Sequence, residues 1–422
     1  MTEPRQRAYE ILQAIEDGKR WSLPSTGDRD EAFLRTLLHG VIRWRLTLDH
    51  LISHLSGREI AKIDQPVLTI LRLGIYQLHW TRVPDHAAVN ESVDLAKRQA
   101  PRGRNFVNAI LRKATRADLS GLIPAGPDVS SLSIRTSHPE WLLERWISTF
   151  GSERAAAIAA ADQQPSYPDL LVDTRHISID SVRDRLAALE ISSEVSTLVP
   201  DMLRVQGSTS SLSDLIELGH VWPMDEGSAV VALIAGENSE VLDFAAAPGG
   251  KSLALIRRGS RVVSNDLSLE RLQPLARLRR SGGDPRIRPV ASDGEQPPFR
   301  QRFPVVLLDA PCSASGIIRK HPEIKWRLSQ QIIDRSADLQ RRLLNNALDL
   351  AANRVVYATC SLEREENDRV IQSVLTTRDD FELGDVTSSL PPHLHSFVSR
   401  GVLRLTPDSG TDGFTAFLLN RT

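Results

Sequence analysis

Only two cysteines occur in the 422 residues, Cys312 and Cys360, and both stand where a thiol could react. Cys312 follows the apolar run PVVLLDAP and Cys360 follows RVVYAT, so each falls just past the carboxyl end of a β-like segment. Inert buried cysteines sit within apolar runs, whereas these two occupy polar turns, Pro311-Cys312-Ser313 and Thr359-Cys360-Ser361. Open α/β sheets bind ligands at that edge, and two neighbouring strands would turn both thiols into one crevice. No nearby His/Cys spacing supplies the further ligands of a metal site. Such a pair suits pyrimidine chemistry. C5 of cytosine is a poor carbon nucleophile; a thiolate adding at C6 pushes electrons to C5, which can then attack a methyl sulfonium. A base must afterwards remove the C5 proton so that the thiolate can leave. Free cysteine titrates near about 8.5, so the site has to favour the thiolate. Asp309, ahead of the first cysteine, could hydrogen-bond N3 and N4 of the base.

A second constellation opens the same half of the chain. The run Asp243-Phe244-Ala245-Ala246-Ala247-Pro248-Gly249-Gly250-Lys251-Ser252 follows the strand-like EVL. Small residues let the backbone approach a ligand, and the next helix offers free N–H groups. Gly250-Lys251-Ser252 satisfies the end of a phosphate-binding P-loop, but Ala245 stands where that pattern needs its first glycine. Asp266 and Asp293 follow the next two strand-like runs, RVVSN and IRPVAS. Acids at the ends of successive strands suit an adenosine ligand without a polyphosphate: Asp266 for the ribose, Asp293 for an adenine edge. Strand-end aspartates also cap helices, so each acid alone is weak.

The elements that must position these residues follow from periodicity. Residues 1 to about 120 repeat apolar positions at three- and four-residue spacing, as in AFLRTLLHGVIRW and VLTILRLGIYQLHW, with breaks at SLPSTGD, SGREIAKIDQP, RVPD and QAPRGRN. This predicts an all-α bundle. SGLIPAGPDVSSLS reads as a linker, followed by a helix carrying Trp141 and Trp146. PDLLVDT, DSVRDRLAALE and MLRVQG predict a small α+β subdomain. After Glu237, EVLDFAA, RVVSND, IRPVASD, PVVLLDA and RVVYATC alternate with helical segments, which predicts a doubly wound α/β domain with a parallel sheet. VLRLTPDSGTDGFTAFLLN supplies an antiparallel finish. The expected division is 1–125, 126–235 and 236–422.

Composition bounds the class. With 41% hydrophobic and 25% charged residues, no apolar stretch of membrane-spanning length, no signal-peptide pattern in MTEPRQRAYEILQAIEDGKRW and no disulfide framework, a cytoplasmic multidomain protein is expected. A net charge of −1 does not itself indicate a nucleic-acid partner. Its distribution is more telling. Lys97, Arg98, Arg102, Arg104, Arg112, Lys113 and Arg116 form an acid-free basic run, and Arg271, Arg277, Arg279, Arg280, Arg286 and Arg288 form another, interrupted by Asp284. Either could be a phosphate-binding footprint or a solvated helix face.

LDFAAAPGGKS, SNDLSLERL, ASDG, LLDAPCSASGIIRKHPEIKW, VVYATCSLEREEN and DGFTAF, in this order and spacing, resemble the Sun/Fmu-type RNA cytosine-5 methyltransferases. DEAFLRTLLHGVIRWR, LRLGIYQLHW, VPDHAAVNESVDLAKR and FVNAILRK are similar to the NusB-like helical domain of the bacterial ribosomal members, so the resemblance spans the chain. It implies a NusB-like helical bundle, a small α+β subdomain and a Rossmann-like methyltransferase domain. It also implies S-adenosylmethionine as cofactor, no metal, and a cytosine of small-subunit (16S) ribosomal RNA as substrate, bound by a monomer. Cys360 of the TCS motif would be the nucleophile, and Cys312 of the APCS motif would assist product release. Ala247, Pro248, Gly249, Gly250, Lys251, Asp266, Asp293 and Asp309 would form the cofactor site. Asp173, Met224, Ser315 and Arg364 depart from the family pattern, standing for Asn, Gln, Thr and Pro, without removing a group the chemistry requires. The competing readings are a non-catalytic RNA-binding assembly factor on the same fold and a transfer-RNA methyltransferase of the same chemistry.

Overall fold

The structure, a computed structural model, describes residues 4–18, 29–237, 239–280 and 284–422. The break read at SLPSTGD lies outside the described residues. The chain divides into two compact units, Met1–Gln163 with His321–Trp326, and Gln164–Lys320 with Arg327–Thr422. No helix among the described residues is long and apolar enough to cross a membrane.

The first unit is helical: α1 (Pro4–Glu16), α2 (Arg29–Arg43), α3 (Arg45–Ser56), α4 (Gln65–Trp80), α5 (Asp85–Gln99), α6 (Arg104–Ala114), α7 (Val129–Thr136), α8 (Glu140–Phe150) and α9 (Ser152–Ala161). Helix α4 is apolar on nearly every side because its neighbours surround it; Val67 through Gln77 are all buried. Its one buried cation, Arg72, is satisfied by Asp49 (2.7 and 2.8 Å) and Glu16 (2.9 Å). Helix α8 buries Trp146 against His138, while Trp141 stays half-buried. The segment 321–326 joins this unit through hydrogen bonds from Lys325 Nζ and Trp326 Nε1 to the carbonyls of Arg43 and Ile42, both at 2.8 Å.

The second unit begins with the α+β subdomain: β1 (Asp169–Val172), α10 (Ile179–Ala187), β2 (Ser192–Val195), β3 (Met202–Gln206), α11 (Ser213–Glu217) and β4 (Val221–Pro223). Its antiparallel sheet has the order β2-β3-β1-β4. Helix α12 (Glu226–Ile234), capped by Asp225, leads into β5 (Glu240–Asp243), α13 (Gly250–Arg257), β6 (Arg261–Asp266), α14 (Leu269–Arg280) and β7 (Ile287–Ala291). There follow β8 (Phe303–Asp309), α15 (Ile324–Arg327, all but its last residue within the first unit), α16 (Gln330–Leu350), β9 (Ala351–Thr359), α17 (Asp368–Leu375), β10 (Phe381–Leu383), β11 (Val398–Ser399), β12 (Val402–Leu405) and β13 (Phe414–Arg421).

Strands β7-β6-β5-β8-β9 are parallel, and β13, antiparallel to β9, carries β12, β11 and the side strand β10. Alternate residues serve opposite faces, as the two-residue strand period requires. Val241 and Leu307 pack with Leu253, Leu272 and Leu275 of α13 and α14. Leu242, Val306 and Leu308 pack with Leu343, Leu344 and Leu348 of α16. This double burial is why the parallel strands read as continuous apolar runs. Strand β5 leads to β6 on one side and pairs β8 on the other, so the order reverses between β5 and β8, where such sheets hold ligands.

Candidate active site

The loop after β5 is drawn tight by its own backbone. Phe244 N–H donates to Leu307 O (2.8 Å) and Ala246 N–H to Asn265 O (2.7 Å). Asp266, at the end of β6, accepts from Ala247 N–H (3.1 Å) and Ser268 N–H (2.9 Å), joining two of the expected cofactor residues. Gly249 has φ of 113°, and a Cβ there would meet Leu275 at 2.4 Å, so both its backbone and its packing exclude a side chain. Pro248 is exposed, Gly250 opens α13, and Leu267, 74% exposed beside Asp266, offers an apolar surface to a planar ring. Asp293 lies two residues past the end of β7, exposed, accepting from Glu295 N–H at 2.8 Å. Bare backbone, a strand-end acid and an exposed leucine fit an adenosine; no phosphate cradle is needed. Beneath them Asp243 is fully buried, receives Ser252 Oγ at 2.7 Å, and leaves Oδ1 without a hydrogen-bond partner among the described residues. Burial pushes its carboxyl up to about 7.

Lys251 points across the switch point. Its Nζ donates to Asp309 Oδ2 (2.6 Å) and Ser228 Oγ (2.5 Å) and lies 5.1 Å from the Phe414 ring centre. Asp309 ends β8 with its carboxylate 29% exposed, so one face of the ion pair remains open to a ligand.

Strands β8 and β9 are hydrogen-bonded neighbours, and the turns beyond them bring Cys312 Sγ and Cys360 Sγ to 3.3 Å. Three loops knit around the thiols. Gly316 N–H donates to Cys360 O (2.9 Å) and Gly413 N–H to Gly316 O (2.8 Å). A Cβ on Gly316 would lie 2.5 Å from Gly413 O and 2.9 Å from Cys360 O, which explains glycine there. Glu366, fully buried, clamps both cysteine turns. It accepts from Ser313 N–H (2.7 Å), Ser361 Oγ and Gln340 Nε2 (3.2 Å), and also bonds Ser313 Oγ. Asn367 adds two bonds at 2.9 Å to the carbonyls of Ser361 and Glu363. Sequence reasoning passed over Glu366 within LEREEN; the signal available was an acid close behind the second thiol, opposite serines that follow each cysteine.

The hydrogen bond with Cys360 comes first, then burial and the charges of Cys360 and Glu366, in pushing the Cys312 thiol well above its ordinary range. Cys312 thus keeps its proton more tightly than an ordinary thiol while it is hydrogen-bonded to Cys360. Lys320 bridges Asp225 Oδ2 (2.5 Å) and Asp412 Oδ2 (2.9 Å), tying the α12 cap to the loop before β13. Burial and the nearby Asp225 push Asp412 up to about 6.

Residues 230–420 match the family described as 16S rRNA methyltransferase RsmB/F. Residues 2–116 match the NusB family, and residues 138–211 match the ferredoxin-like domain of RsmF/B-like methyltransferases. The chain is 30% identical to the probable ribosomal RNA small subunit methyltransferase B of Bacillus subtilis over 98% of its length and 97% of the relative's. It is 32% identical to the ribosomal RNA small subunit methyltransferase B of Sodalis glossinidius, covering 94% of this chain and 91% of that one. The crystal structure of PH0851 superposes with a TM-score of 0.76 at 23% identity, covering 99% and 97% of the two chains, a likeness of fold. Two neighbouring thiols at the carboxyl edge of an adenosine-fitting sheet, carried by a chain matched end to end by these relatives, place it in the RsmB/F methyltransferase family, whose cofactor is S-adenosylmethionine.

Proposed function

We propose that this chain transfers a methyl group from S-adenosylmethionine to C5 of one cytosine in small-subunit ribosomal RNA, through a covalent adduct between Cys360 and C6 of the base. The observation that carries the reading is the 3.3 Å approach of the two thiols beside the Lys251–Asp309 pair. Ala247, Pro248, Gly249, Gly250, Lys251, Asp266, Asp293 and Asp309 form the proposed cofactor site, and when bound there the cofactor supplies an electrophilic methyl on a sulfonium. Residues 1–125 serve as the NusB-like RNA-binding part, 126–235 as linker and subdomain, and 236–422 as the catalytic part. The chain acts as a cytoplasmic monomer.

Cys360 attacks as the thiolate, helped by the S–H of Cys312. Its electron pair forms the Sγ–C6 bond, and the displaced ring electrons gather on C5 and N3. Asp309 receives the N4 amine, and the ammonium of Lys251 lies 2.6 Å behind that carboxylate to offset the growing negative charge. Once Cys360 is a neutral thioether it no longer bonds the Cys312 S–H, and in the proposed sequence Cys312 then gives its proton to solvent. After methylation the Cys312 thiolate takes the C5 proton. The Sγ–C6 bond then breaks, returning its electron pair to Cys360. The target must leave its stack to reach the thiol, so an unpaired cytosine is expected.

Transfer of labelled methyl to unmodified small-subunit RNA, mapped at nucleotide resolution, tests this reading. One 5-methylcytosine is expected, abolished in Cys360→Ala, with a stable protein–RNA adduct in Cys312→Ala. Normal turnover of Cys312→Ala without an adduct would falsify the two-thiol mechanism. Absence of transfer with cofactor binding intact would leave a non-catalytic RNA-binding factor, and transfer to transfer RNA alone would change the substrate.

A further inference from the structure

A cavity of about 660 Å³ opens within the second unit, at the sheet edge opposite the thiols. Asp173, Arg175, His176 and His220 of the α+β subdomain face Arg257 at the end of α13 and the Asp284–Ile287 turn before β7. Three guanidiniums meet two carboxylates here. Arg175 grips Asp173 with two bonds (2.8 and 2.6 Å) and reaches Asp284 at 3.4 Å. Arg286 grips Asp284 through Nε at 2.8 Å and through Nη2. Among the described residues Arg257, its side chain 10% exposed, has a 3.8 Å approach to Asp173 and a 3.5 Å bond to Gly219 O, and its Nη1 has no hydrogen-bond partner. The ion pairs therefore orient two guanidiniums and leave Arg257 without a carboxylate at bonding distance. Burial, with Arg175 nearby, pushes Arg257 down to about 10 against the opposing pull of Asp173 and Asp201.

The second basic run leads to this cavity. Arg271, Arg277, Arg279 and Arg280 are exposed along α14, whose Leu278 lines the cavity, and Arg288 lies just beyond it, 3.5 Å from Glu240. The helix starts at the cofactor edge, where Arg271 Nη2 donates to Ala247 O at 3.1 Å, and its twelve residues cover about 18 Å. A strand of positive charge thus joins the reactive edge to the cavity.

Resting on the RNA reading above, we propose that the cavity bounded by Arg175, Arg257 and Arg286 is a phosphate-binding site that takes a backbone phosphodiester of the RNA substrate, after the strand has crossed α14. Guanidinium forks are the side chains best shaped for phosphate oxygens. The chelating carboxylates reduce their entropy loss on binding, and Arg257, which has no carboxylate closer than 3.8 Å, supplies a further cation.

The test uses the full chain, unmodified small-subunit RNA and inorganic phosphate as probes. R175Q/R286Q should weaken RNA binding about tenfold and flatten the logarithmic salt dependence by about one to two phosphate contacts. Calorimetry should show inorganic phosphate binding weakened in parallel, with S-adenosylmethionine affinity unchanged as the control for folding. R175K/R286K keeps charge but loses the two-point clamps, and should recover most of the salt slope. An unchanged RNA slope with lost phosphate binding would mean a pocket for free phosphate and overturn the proposal. Equal losses in the Gln and Lys variants would mark the cluster as a structural staple and overturn it too. The readout is a ratio of binding constants, so failure of methyl transfer in the unmodified chain would sink the functional reading separately.

Discussion

A buried carboxyl and a pair of touching thiols concentrate the electrostatics of this protein at the ends of three strands. The hydrogen bond to Cys360, burial and the nearby Glu366 raise the Cys312 thiol well above its ordinary range. Asp243 makes a cleaner prediction. Its folded value of about 7 lies above the ordinary carboxyl value, so between about pH 4 and 7 the folded state holds a proton that the unfolded chain has released. Stability from this group is therefore present below that window and lost as pH rises through it, by on the order of 4 kcal/mol at most. Asp243→Asn keeps an acceptor for Ser252 but cannot ionise. Urea titrations at pH 5 and 7.5 should show the wild type losing stability relative to the variant as pH rises. Parallel behaviour of the two would mean the carboxyl is solvated in a way its burial denies. Asp412, raised to about 6, has the same sign in both proteins and cancels in the comparison.

At the scale of elements, the reactive edge consists of loops held by strands rather than of the strands themselves. Placing β13 beside β9 brings the loop at Gly413 against Gly316, and Gly316 against the carbonyl of Cys360. Adding one methyl at Gly316 forces backbone against backbone, because the obstructing atoms are carbonyl oxygens and not flexible side-chain ends. Gly316→Ala should cost about 1–3 kcal/mol and lower methyl transfer at least tenfold, with cofactor affinity nearly unchanged. Denaturant melts and single-turnover assays check both numbers. A variant as active as the wild type would show that this close packing does not set the thiol positions.

For the whole molecule the question is how a chain of net charge −1 holds an RNA. All seven basic residues from Lys97 to Arg116 are exposed, on α5, α6, the turn between them and, for Arg116, the segment just past α6. Lys97 is paired with Asp94, and Lys113 bonds Leu55 O at 3.1 Å, so part of the run already has internal partners. Reversing Arg102, Arg104 and Arg112 to Glu should weaken RNA binding and reduce the salt slope by roughly three contacts if each meets one phosphate. The same measurement with a slope like that of the wild type would assign the run to a solvated helix surface. Because the changes touch no buried residue, thermal stability should move by no more than about 0.5 kcal/mol each.

Local pattern alone sufficed for much of this protein. The helical repeat before residue 120, the five apolar runs of the parallel sheet, and the terminal antiparallel pair are present as predicted, because side-chain period reports which faces an element buries. Both cysteines and Asp309 could be placed at strand ends for the same reason. The rest needed tertiary structure. That β8 neighbours β9, and so that two thiols 48 residues apart touch, depends on strand order, which no single run encodes. Lys251 reads as part of a glycine-rich cofactor loop, yet its amine meets Asp309 across the switch point, a contact between residues 58 apart. Glu366 looks like one acid among several in LEREEN until the fold buries it against the serines after each cysteine. The cavity at Arg257 takes its walls from loops of the α+β subdomain and from α13, α14 and the turn leading into β7. Sequence determines the period of each element and the chemistry of each side chain. Which unlike residues come within bonding distance is decided by how the chain closes on itself, since burial and charge pairing exist only between segments that packing has brought together.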